Sequence, residues 1–163
     1  MSSASTHAFA DQEEFRFAPL TVDWLEALLP IEQQAYSHPW TRGNFIDSLA
    51  SGYEAQLLLD AQGQLLGYFV AMPVLDEVHL LNITVAPAHQ GRGWARVMLD
   101  GLTLWARQRN ARWLWLEVRE SNTRARALYE KNGYQQIAQR KNYYPAVDGQ
   151  REHAIIMSKK LWP

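Results

Sequence analysis

The segment LNITVAPAHQGRGWARVML, residues 81–99, changes its pattern halfway along and decides the fold. It begins with an apolar run typical of a β-strand, and from Gly93 onward apolar side chains recur at every third or fourth position. The second spacing is the one expected for the buried face of a helix. The segment therefore predicts a strand, a glycine-containing turn and a helix in direct succession.

The turn carries two glycines and two arginines, a combination suited to a phosphate group. The first turn of a helix has unpaired backbone N–H groups at the positive end of the helix dipole. Gly91 and Gly93 remove Cβ atoms that would hold a phosphate away, while Arg92 and Arg96 add positive charge. An ordinary loop with solvated arginines explains two glycines equally well. The sequence has neither G-x-G-x-x-G nor G-K-S/T, which excludes the common dinucleotide and P-loop motifs.

Up to the start of this segment, the sequence predicts a short strand, two helices and three β-rich runs, the last of which ends in the strand that opens the segment. Residues 15–20 favour a strand, and residues 21–36 have near-helical apolar spacing that Pro30 kinks or divides. Thr41 is placed to cap a second short helix. The β-rich runs, of which the first two read as an antiparallel hairpin, lie at 53–60, 65–75 and 77–85.

After the helix, the pattern returns to strands. Residues 112–118 predict a strand, and residues 121–133 predict a helix with a polar start and a glycine stop. Residues 134–144 and 152–161 predict two closing strands. The element order indicates an α/β (α+β) fold with a mixed, mostly antiparallel central sheet.

Composition narrows the classes of function. A chain of 163 residues with 47% hydrophobic content fits one domain, which we place at 14–163 after a loose tail at 1–13. A net charge of −1 argues against nucleic acid as the main ligand. The absence of cysteine excludes disulfides and thiolate nucleophiles and favours a cytosolic protein. We expect no membrane span, and the spacing of the five histidines gives no metal site.

Two residues are candidates for proton transfer. Strand alternation places Glu117 on the same side as Trp113 and Trp115, where partial desolvation would suit a general base. The alternative is a strand-end glutamate that reaches solvent or pairs with a neighbour such as Arg119. Tyr129 lies on the following predicted helix, where packing with its hydroxyl at the rim is the simpler interpretation.

Several stretches carry a family resemblance. Residues 81–99 resemble the acetyl-CoA-binding motif of the GCN5-related N-acetyltransferases (GNAT), whose Q/R-x-x-G-x-G/A pattern is met by Gln90, Gly93 and Ala95. Together with AYSHPW, WLEVRESNTRARALYEKNGY, RKNYYP and HAIIM, they resemble the ribosomal-protein-alanine N-acetyltransferase (RimI) subfamily over roughly residues 15–160. The resemblance implies a single GNAT-type domain with helices on both faces of the sheet and a bulged cofactor-binding strand. Trp94 departs from the family, which more often has a small or aliphatic residue there.

The resemblance also implies roles for individual residues. Glu117 corresponds to the proton acceptor and Tyr129 to the proton donor, and Glu77 is a rival base. Asn122 combines a cofactor contact with a helix cap. The positions implied to contact acetyl-CoA are Ile83, Thr84, Val85, Gly91, Arg92, Gly93, Trp94, Ala95, Arg96 and Asn122. The implied reaction is direct acetyl transfer to the N-terminal alanine of a small-subunit ribosomal protein, without a metal.

Other functions stay open on the sequence alone. The acceptor could instead be a lysine, a polyamine or an antibiotic amine, with the loops around SHPW and NYYPAVDGQ discriminating among them. A non-catalytic acyl-CoA-binding module would keep the glycine turn without the chemistry. An RNA-binding protein would use a basic strip that includes Arg124 and Arg126, which are only two positions apart and share a helix face poorly.

Overall fold

The computed structural model describes residues 13–162. Of the expected tail at 1–13, all but Glu13 lies outside the described residues. Strands and helices follow the predicted order closely. Their bounds are β1 Phe15–Pro19, α1 Leu25–Ala35, α2 Arg42–Ala50, β2 Glu54–Asp60, β3 Leu65–Val74, β4 Glu77–Val85, α3 Trp94–Gln108, β5 Trp113–Arg119, α4 Thr123–Lys131, β6 Gln135–Pro145 and β7 Arg151–Lys160.

The seven strands form one mixed sheet in the order β1-β2-β3-β4-β5-β7-β6. β4 and β5 run parallel, and the pairs β1–β2, β2–β3, β5–β7 and β6–β7 are antiparallel. The predicted α/β class with a mixed, mostly antiparallel sheet is confirmed. A bulge within β4 stays a prediction, because the recorded register shifts lie in the β2–β3 and β6–β7 pairs.

The described chain forms two compact units. The first contains the chain up to Met72 together with Asn82–Gly101, and the second contains Pro73–Leu81 together with the chain from Leu102 onward. β3, β4 and α3 each contribute residues to both units. The predicted limits of one domain, 14–163, stay a prediction.

In the first unit, helices pack on both faces of the sheet. Tyr68 and Val70 of β3 belong to a buried cluster with Leu25 of α1 and Phe45 of α2. Gly67, the β3 residue just before Tyr68, faces α3 instead, because a Cβ atom built on it would lie 2.9 Å from Cε of Met98. Adjacent residues of a strand point to opposite faces, so α3 lies opposite α1 and α2.

A second glycine allows close packing between α3 and β1. A Cβ built on Gly101 would lie 2.7 Å from Cζ of Phe17, closer than carbon atoms approach without moving. Gly101 interrupts the apolar pattern of α3 but does not end the helix, as predicted. Gly101 lowers the stability of the helix locally, but its lack of a side chain leaves room for the aromatic ring of Phe17.

Pro30 does not divide α1, contrary to one of the two expected outcomes. The helix runs without a break from Leu25 to Ala35. Leu25, Leu28 and Glu32 are all buried on one side of it. This packing outweighs the loss of the hydrogen bond that proline cannot donate, a cost of about 3 kcal/mol in a helix interior.

The second unit is organised around β5, whose side chains alternate strictly in burial. Buried positions are Leu114, Leu116 and Val118, while Trp113 and Trp115 are half-buried and Glu117 is exposed. On the neighbouring strand β7, Ala154, Ile155 and Met157 are buried. Within residues 13–162, no helix is long and apolar enough to cross a bilayer.

Candidate active site

The glycine turn before α3 has a backbone conformation that favours glycine. Gly91 has φ +79° and Gly93 has φ +88°, both in the left-handed region. A Cβ built on Gly91 would meet nothing within 4 Å, so the space beside the turn is open. Gln90 donates from Nε2 to the Val85 carbonyl over 3.3 Å and ties the turn to the end of β4. The turn therefore has both the shape and the room to receive an anion.

The start of α3 supplies backbone donors next to this turn. The earliest bond recorded there runs from Val97 N to Gly93 O at 3.2 Å, and N–H groups before it have no acceptor one turn back in the helix. The side chain of Trp94 is 1% exposed and packs edge-on against Phe15. The Trp94 side chain therefore contributes packing and not a contact to a ligand. Ala95 adds no bulk at the next position.

The two arginines of the turn differ in their surroundings. Arg92 is exposed, so its charge is available beside the turn. Arg96 is half-buried, with Nη1 3.4 Å from Oδ2 of Asp100 one helical turn later. Long-range attraction of an anion falls mainly to Arg92.

The second half of β4 holds its side chains firmly. The register of β4 with β5 covers only its first four residues. Further along, Thr84 is 3% exposed and donates from Oγ1 to Oδ1 of Asn82 at 2.7 Å. The Ile83 carbonyl accepts the Tyr36 hydroxyl at 2.7 Å. The backbone of residues 83–85 is thereby fixed in an extended conformation, which is the form in which a strand can bind an extended ligand.

Glu117 lies on the half-exposed face of β5, on the side predicted from alternation. Its side chain is 32% exposed, and Oε1 lies 3.6 Å from Nε of Arg140. The sequence suggested Arg119 as an ion-pair partner, and this suggestion was wrong. Arg140 comes instead from β6, which is separated from β5 by β7.

Arg119 binds a different carboxylate, that of Glu152. Its Nη1 donates to Oε1 of Glu152 at 2.9 Å and to the Pro145 carbonyl at 2.7 Å. This guanidinium lowers the pKa of Glu152 by hydrogen bonding, and the backbone N–H of Ser121 adds to the effect. Arg119 also lies over the ring of Tyr144, 4.6 Å from its centroid. The end of β5 is thus anchored to the β6–β7 hairpin.

Tyr144 lies in the same surroundings as Glu117. The pKa of Tyr144 is raised to about 12, first by burial and then by the negative charge of Glu117. Its phenol therefore stays protonated across the physiological range. Tyr144 can therefore donate a hydrogen bond but cannot act as a base.

Tyr129 is the buried residue of α4, at 8% exposure. Its ring packs edge-on against Tyr134, with centroids 5.8 Å apart. Burial raises the pKa of Tyr134, and the neighbouring Tyr129 adds to that rise. The packing interpretation of Tyr129 is correct for its ring, and a ring held this firmly can also present its hydroxyl in a fixed direction.

Asn122 caps α4. Its Oδ1 accepts the backbone N–H of Ala125 at 3.2 Å, which satisfies one of the otherwise unpaired donors of the first turn. The capping role predicted for Asn122 is confirmed. A cofactor contact by the same residue stays a prediction.

The rival base Glu77 is engaged by a histidine on its own strand. Oε2 of Glu77 lies 2.9 Å from Nε2 of His79, whose ring stacks on Trp115 at 5.9 Å. Both side chains are about one-third exposed. Glu77 thus has a closer partner than Glu117 has, which favours Glu117 as the more available base.

Two features of the site were missed from the sequence. Arg140 was not singled out, since nothing in the order of residues links it to Glu117. The buried carboxylate of Glu32 was also missed, although a signal existed. Glu32 follows Leu25 by seven positions and Leu28 by four, so it lies on the apolar face of α1, where a charge is unexpected.

The predicted residues fall into two groups. The β4 and glycine-turn residues lie in the first unit, and Glu117, Asn122 and Tyr129 lie in the second. The first group can bind an extended ligand that ends in an anion, and the second contains a carboxylate and a phenol suited to proton transfer. Among residues 13–162, no group of three or more His, Asp or Glu side chains is placed to hold a metal ion.

Comparison with known proteins gives a consistent result. The Acetyltransferase (GNAT) family matches residues 25–134 of the chain. The ribosomal protein bS18-alanine N-acetyltransferase of Haemophilus influenzae is 41% identical over 133 residues, which is 82% of this chain and 90% of that protein. The protein of the same description from Escherichia coli K12 is 40% identical over 134 residues, 82% of this chain and 89% of that protein.

A solved structure is similar over a still longer stretch. The crystal structure of the ribosomal-protein-S18-alanine N-acetyltransferase from Escherichia coli superposes with a TM-score of 0.85 at 37% identity. The similarity covers 92% of this chain and 96% of that chain. The described fold and the sequence matches therefore agree.

Proposed function

Because the chain belongs to the Acetyltransferase (GNAT) family and is an N-acetyltransferase, we propose that it acetylates the N-terminal alanine of ribosomal protein bS18 in the cytoplasm. The observation that carries the proposal is the match, at 40–41% identity over 82% of the chain, to proteins described by that activity. The acyl donor is acetyl-CoA, as the resemblance of the glycine turn implies.

The residues that hold acetyl-CoA belong to β4 and to the start of α3. The open space at Gly91 and the backbone donors of the first helical turn fit a pyrophosphate, with Arg92 adding charge. The backbone of Ile83, Thr84 and Val85 would hold the pantetheine arm. The bound donor supplies an activated thioester carbonyl, so the protein needs no nucleophile of its own.

Glu117 acts as the general base. An α-amine has a reference pKa of about 7.7 to 8.0, so much of it is protonated near neutral pH and must lose a proton before it attacks. Glu117 is partly exposed, and its one recorded ion pair, to Arg140, is long at 3.6 Å. A carboxylate held this loosely can exchange a proton with the substrate amine or with an intervening water.

Backbone and phenol groups complete the chemistry. Backbone N–H groups of residues 83–85 donate to the carbonyl oxygen as it gains negative charge, and one such donor is worth about 2.7 to 4 kcal/mol. Tyr129 gives a proton to the leaving sulfur. The fixed orientation of its ring against Tyr134 favours this transfer, because a general acid works only when its proton is aimed at the leaving group.

The test is peptide mass after incubation with acetyl-CoA. Three acceptors are compared: a peptide with a free N-terminal alanine, the same peptide with a blocked α-amine and an added lysine, and a polyamine. We expect one acetyl group on the free α-amine alone, and almost none when Glu117→Gln replaces the wild type.

Other results would change the proposal in defined ways. Acetylation of lysine or of the polyamine with no α-amine product would replace the acceptor and leave the family unchanged. Binding of acetyl-CoA without transfer to any acceptor would contradict the enzymatic proposal for these substrates.

A further inference from the structure

Glu32 is a fully buried carboxylate that is held by three hydrogen-bond donors. It is 1% exposed on the apolar side of α1. Its Oε1 accepts the Tyr68 hydroxyl at 2.7 Å and Nδ2 of Asn82 at 3.1 Å, and its Oε2 accepts the backbone N–H of Trp40 at 2.9 Å. Burying a carboxylate is costly unless it is fully hydrogen-bonded. The three donors meet that requirement and come from separate elements.

One arm of this network leads to β4 through a chain of hydrogen bonds. Asn82 Oδ1 accepts from Thr84 Oγ1 at 2.7 Å, Thr84 Oγ1 lies 2.8 Å from the Tyr36 hydroxyl, and that hydroxyl donates to the Ile83 carbonyl at 2.7 Å. Asn82 is 8% exposed and Thr84 is 3% exposed, so water competes little at these two residues, whereas Tyr36 at the end of the arm is 37% exposed. The chain joins the carboxylate to the strand residues proposed to hold the pantetheine arm.

The charge of Glu32 sets the direction of the whole arm. A carboxylate only accepts hydrogen bonds, so Asn82 must turn Nδ2 toward Glu32 and Oδ1 toward Thr84. Thr84 then uses its single proton on Asn82 and presents lone pairs to Tyr36. The single proton of the Tyr36 hydroxyl is therefore shared between Thr84 Oγ1 and the Ile83 carbonyl. The pKa of Tyr36 is raised to about 12, chiefly by burial of its hydroxyl, which keeps that proton in place.

The other arm leads to the loop between α1 and α2. Trp40 belongs to the SHPW segment, which is predicted to help discriminate among acceptors. Its backbone N–H bonds directly to Oε2 of Glu32, and its ring packs edge-on against Phe45 at 5.1 Å. Tyr36 begins the same loop and closes the β4 arm, so one end of the loop is bound to the carboxylate directly and the other end is linked to it through Thr84 and Asn82.

We propose that Glu32 is a positioning residue that couples the loop of residues 36–40 to residues 82–85 of β4, so that binding of an acceptor peptide and binding of the CoA moiety strengthen each other. The inference rests on the proposed function, because it takes the loop as an acceptor-binding segment and β4 as the strand along the cofactor. It adds a role for a residue that takes no part in proton transfer.

Glu32→Gln tests the proposal with almost no change of shape. A glutamine replaces one carboxylate oxygen by an NH₂ group, which must face either the Trp40 N–H or the Tyr68 and Asn82 donors. One arm therefore meets a donor where it needs an acceptor. The matched control is Ser48→Ala, which removes another buried hydrogen bond of the first unit, from Ser48 Oγ to the Asn44 carbonyl at 3.0 Å, outside the network.

The measurement is the calorimetric dissociation constant of CoA, with and without a saturating alanine-starting peptide. CoA carries no acetyl group, so no transfer disturbs the titration. In the wild type and in Ser48→Ala, we expect the peptide to tighten CoA binding about 5-fold or more, the usual lower range for coupled sites. In Glu32→Gln, this factor falls toward one.

Tyr36→Phe provides a second variant should Glu32→Gln fold poorly. It leaves Glu32 with all three donors and removes only the hydroxyl at the end of the β4 arm. The same loss of coupling is expected. Circular dichroism and thermal unfolding show that each variant is folded at the temperature of the titration.

The outcomes separate the proposal from general destabilisation and from the proposed function. Equal coupling in wild type and in both network variants overturns the positioning role, as does no coupling in the wild type or an equal loss in Ser48→Ala. A wild type that binds no alanine-starting peptide contradicts the proposed acceptor. In that case the β4 arm is tested by the affinity for CoA alone. If Glu32 positions β4, CoA binds several-fold more weakly to Glu32→Gln, and unchanged affinity overturns the positioning role.

Discussion

Two glutamates, one in each unit, show opposite ways of using a carboxylate. Glu32 in the first unit is 1% exposed and accepts hydrogen bonds from three donors. Glu117 in the second unit has a side chain that is 32% exposed and a single recorded ion pair, at 3.6 Å, to Arg140. Protonating the first would break a network, whereas protonating the second would break one weak contact. A charge held rigidly organises structure, and a charge held loosely can exchange protons.

The strongest test of this contrast is Glu117→Gln. We expect kcat for the alanine-starting peptide to fall about 10² to 10⁴-fold, the range for loss of a general base. Stability to urea should stay within about 0.5 kcal/mol of wild type, because the exposed pair with Arg140 contributes little. Unchanged turnover would remove Glu117 from the mechanism, and Glu77→Gln would then be the variant to assay.

A somewhat smaller loss is expected from Tyr129→Phe, for which the second unit provides its own control. Removing the proposed acid should lower kcat about 10²-fold with acetyl-CoA affinity unchanged. Tyr134→Phe removes a hydroxyl that is buried without a recorded hydrogen-bond partner among the described residues, so it should cost neither turnover nor stability. Equal kcat values for the two variants would show that the Tyr129 hydroxyl takes no part in the reaction.

Stability should depend on pH through a third carboxylate, Glu152, whose exposure is intermediate between that of Glu32 and that of Glu117. Arg119 lowers the pKa of Glu152, so its contribution is complete above the usual carboxyl pKa and is lost as the pH falls through the lowered value. Arg119→Gln should cost about 1 to 2 kcal/mol in urea unfolding at neutral pH, and less as the pH falls through the lowered pKa of Glu152.

The control for this experiment is a more exposed pair in the same unit. Arg112 Nε lies 4.0 Å from Oδ2 of Asp76, with side chains 72% and 56% exposed. Arg112→Gln should change stability by less than about 0.5 kcal/mol at any pH. A loss for Arg119→Gln that is independent of pH would mean that its contacts with the Pro145 carbonyl and the Tyr144 ring matter more than its bond to Glu152.

The smallest effect is expected from variants of Asn122, which separate its role as a helix cap from its predicted contact with the cofactor. Asn122→Ala removes the cap of α4 and should cost about 1 kcal/mol of stability, while Asn122→Asp keeps a capping oxygen and should be close to wild type. Acetyl-CoA affinity is measured on both variants. If Asn122→Asp weakens cofactor binding as much as Asn122→Ala does, the Asn122 side chain contacts the cofactor through its NH₂ group. If both variants keep full affinity, Asn122 acts only as the cap of α4.

Local pattern was sufficient to predict the strands and helices of the fold and their order along the chain. Alternation along residues 113–118 and the helical spacing from Gly93 onward both depend on which face is buried, and the structure has the elements at those positions. The cap at Thr41 was also predictable, because its hydroxyl and the Asn44 backbone are only three positions apart. Pro30 was misjudged in part, since the packing that keeps α1 continuous is tertiary.

Contacts between distant residues could not be predicted in the same way. The bonds of Glu32 to Tyr68 and Asn82 span 36 and 50 positions, and each of these residues looks ordinary in its own segment. Arg140 reaches Glu117 across an intervening strand, whereas Arg119, two positions away in sequence, turns toward Glu152. Strand order and register decide such pairs, and neither can be read from residue spacing.

The contact between Gly101 and Phe17 matters to anyone who would engineer a more heat-resistant enzyme. Replacing helical glycines by alanine is a routine stabilising step, worth about 0.4 to 1 kcal/mol where the site accepts it. Gly43 of α2 accepts it, because a methyl group there would meet only Thr41 Oγ1 at 3.7 Å. At Gly101 the same methyl would collide with an aromatic ring at 2.7 Å. A library that treats the two helical glycines alike would combine a gain with a loss and conceal both.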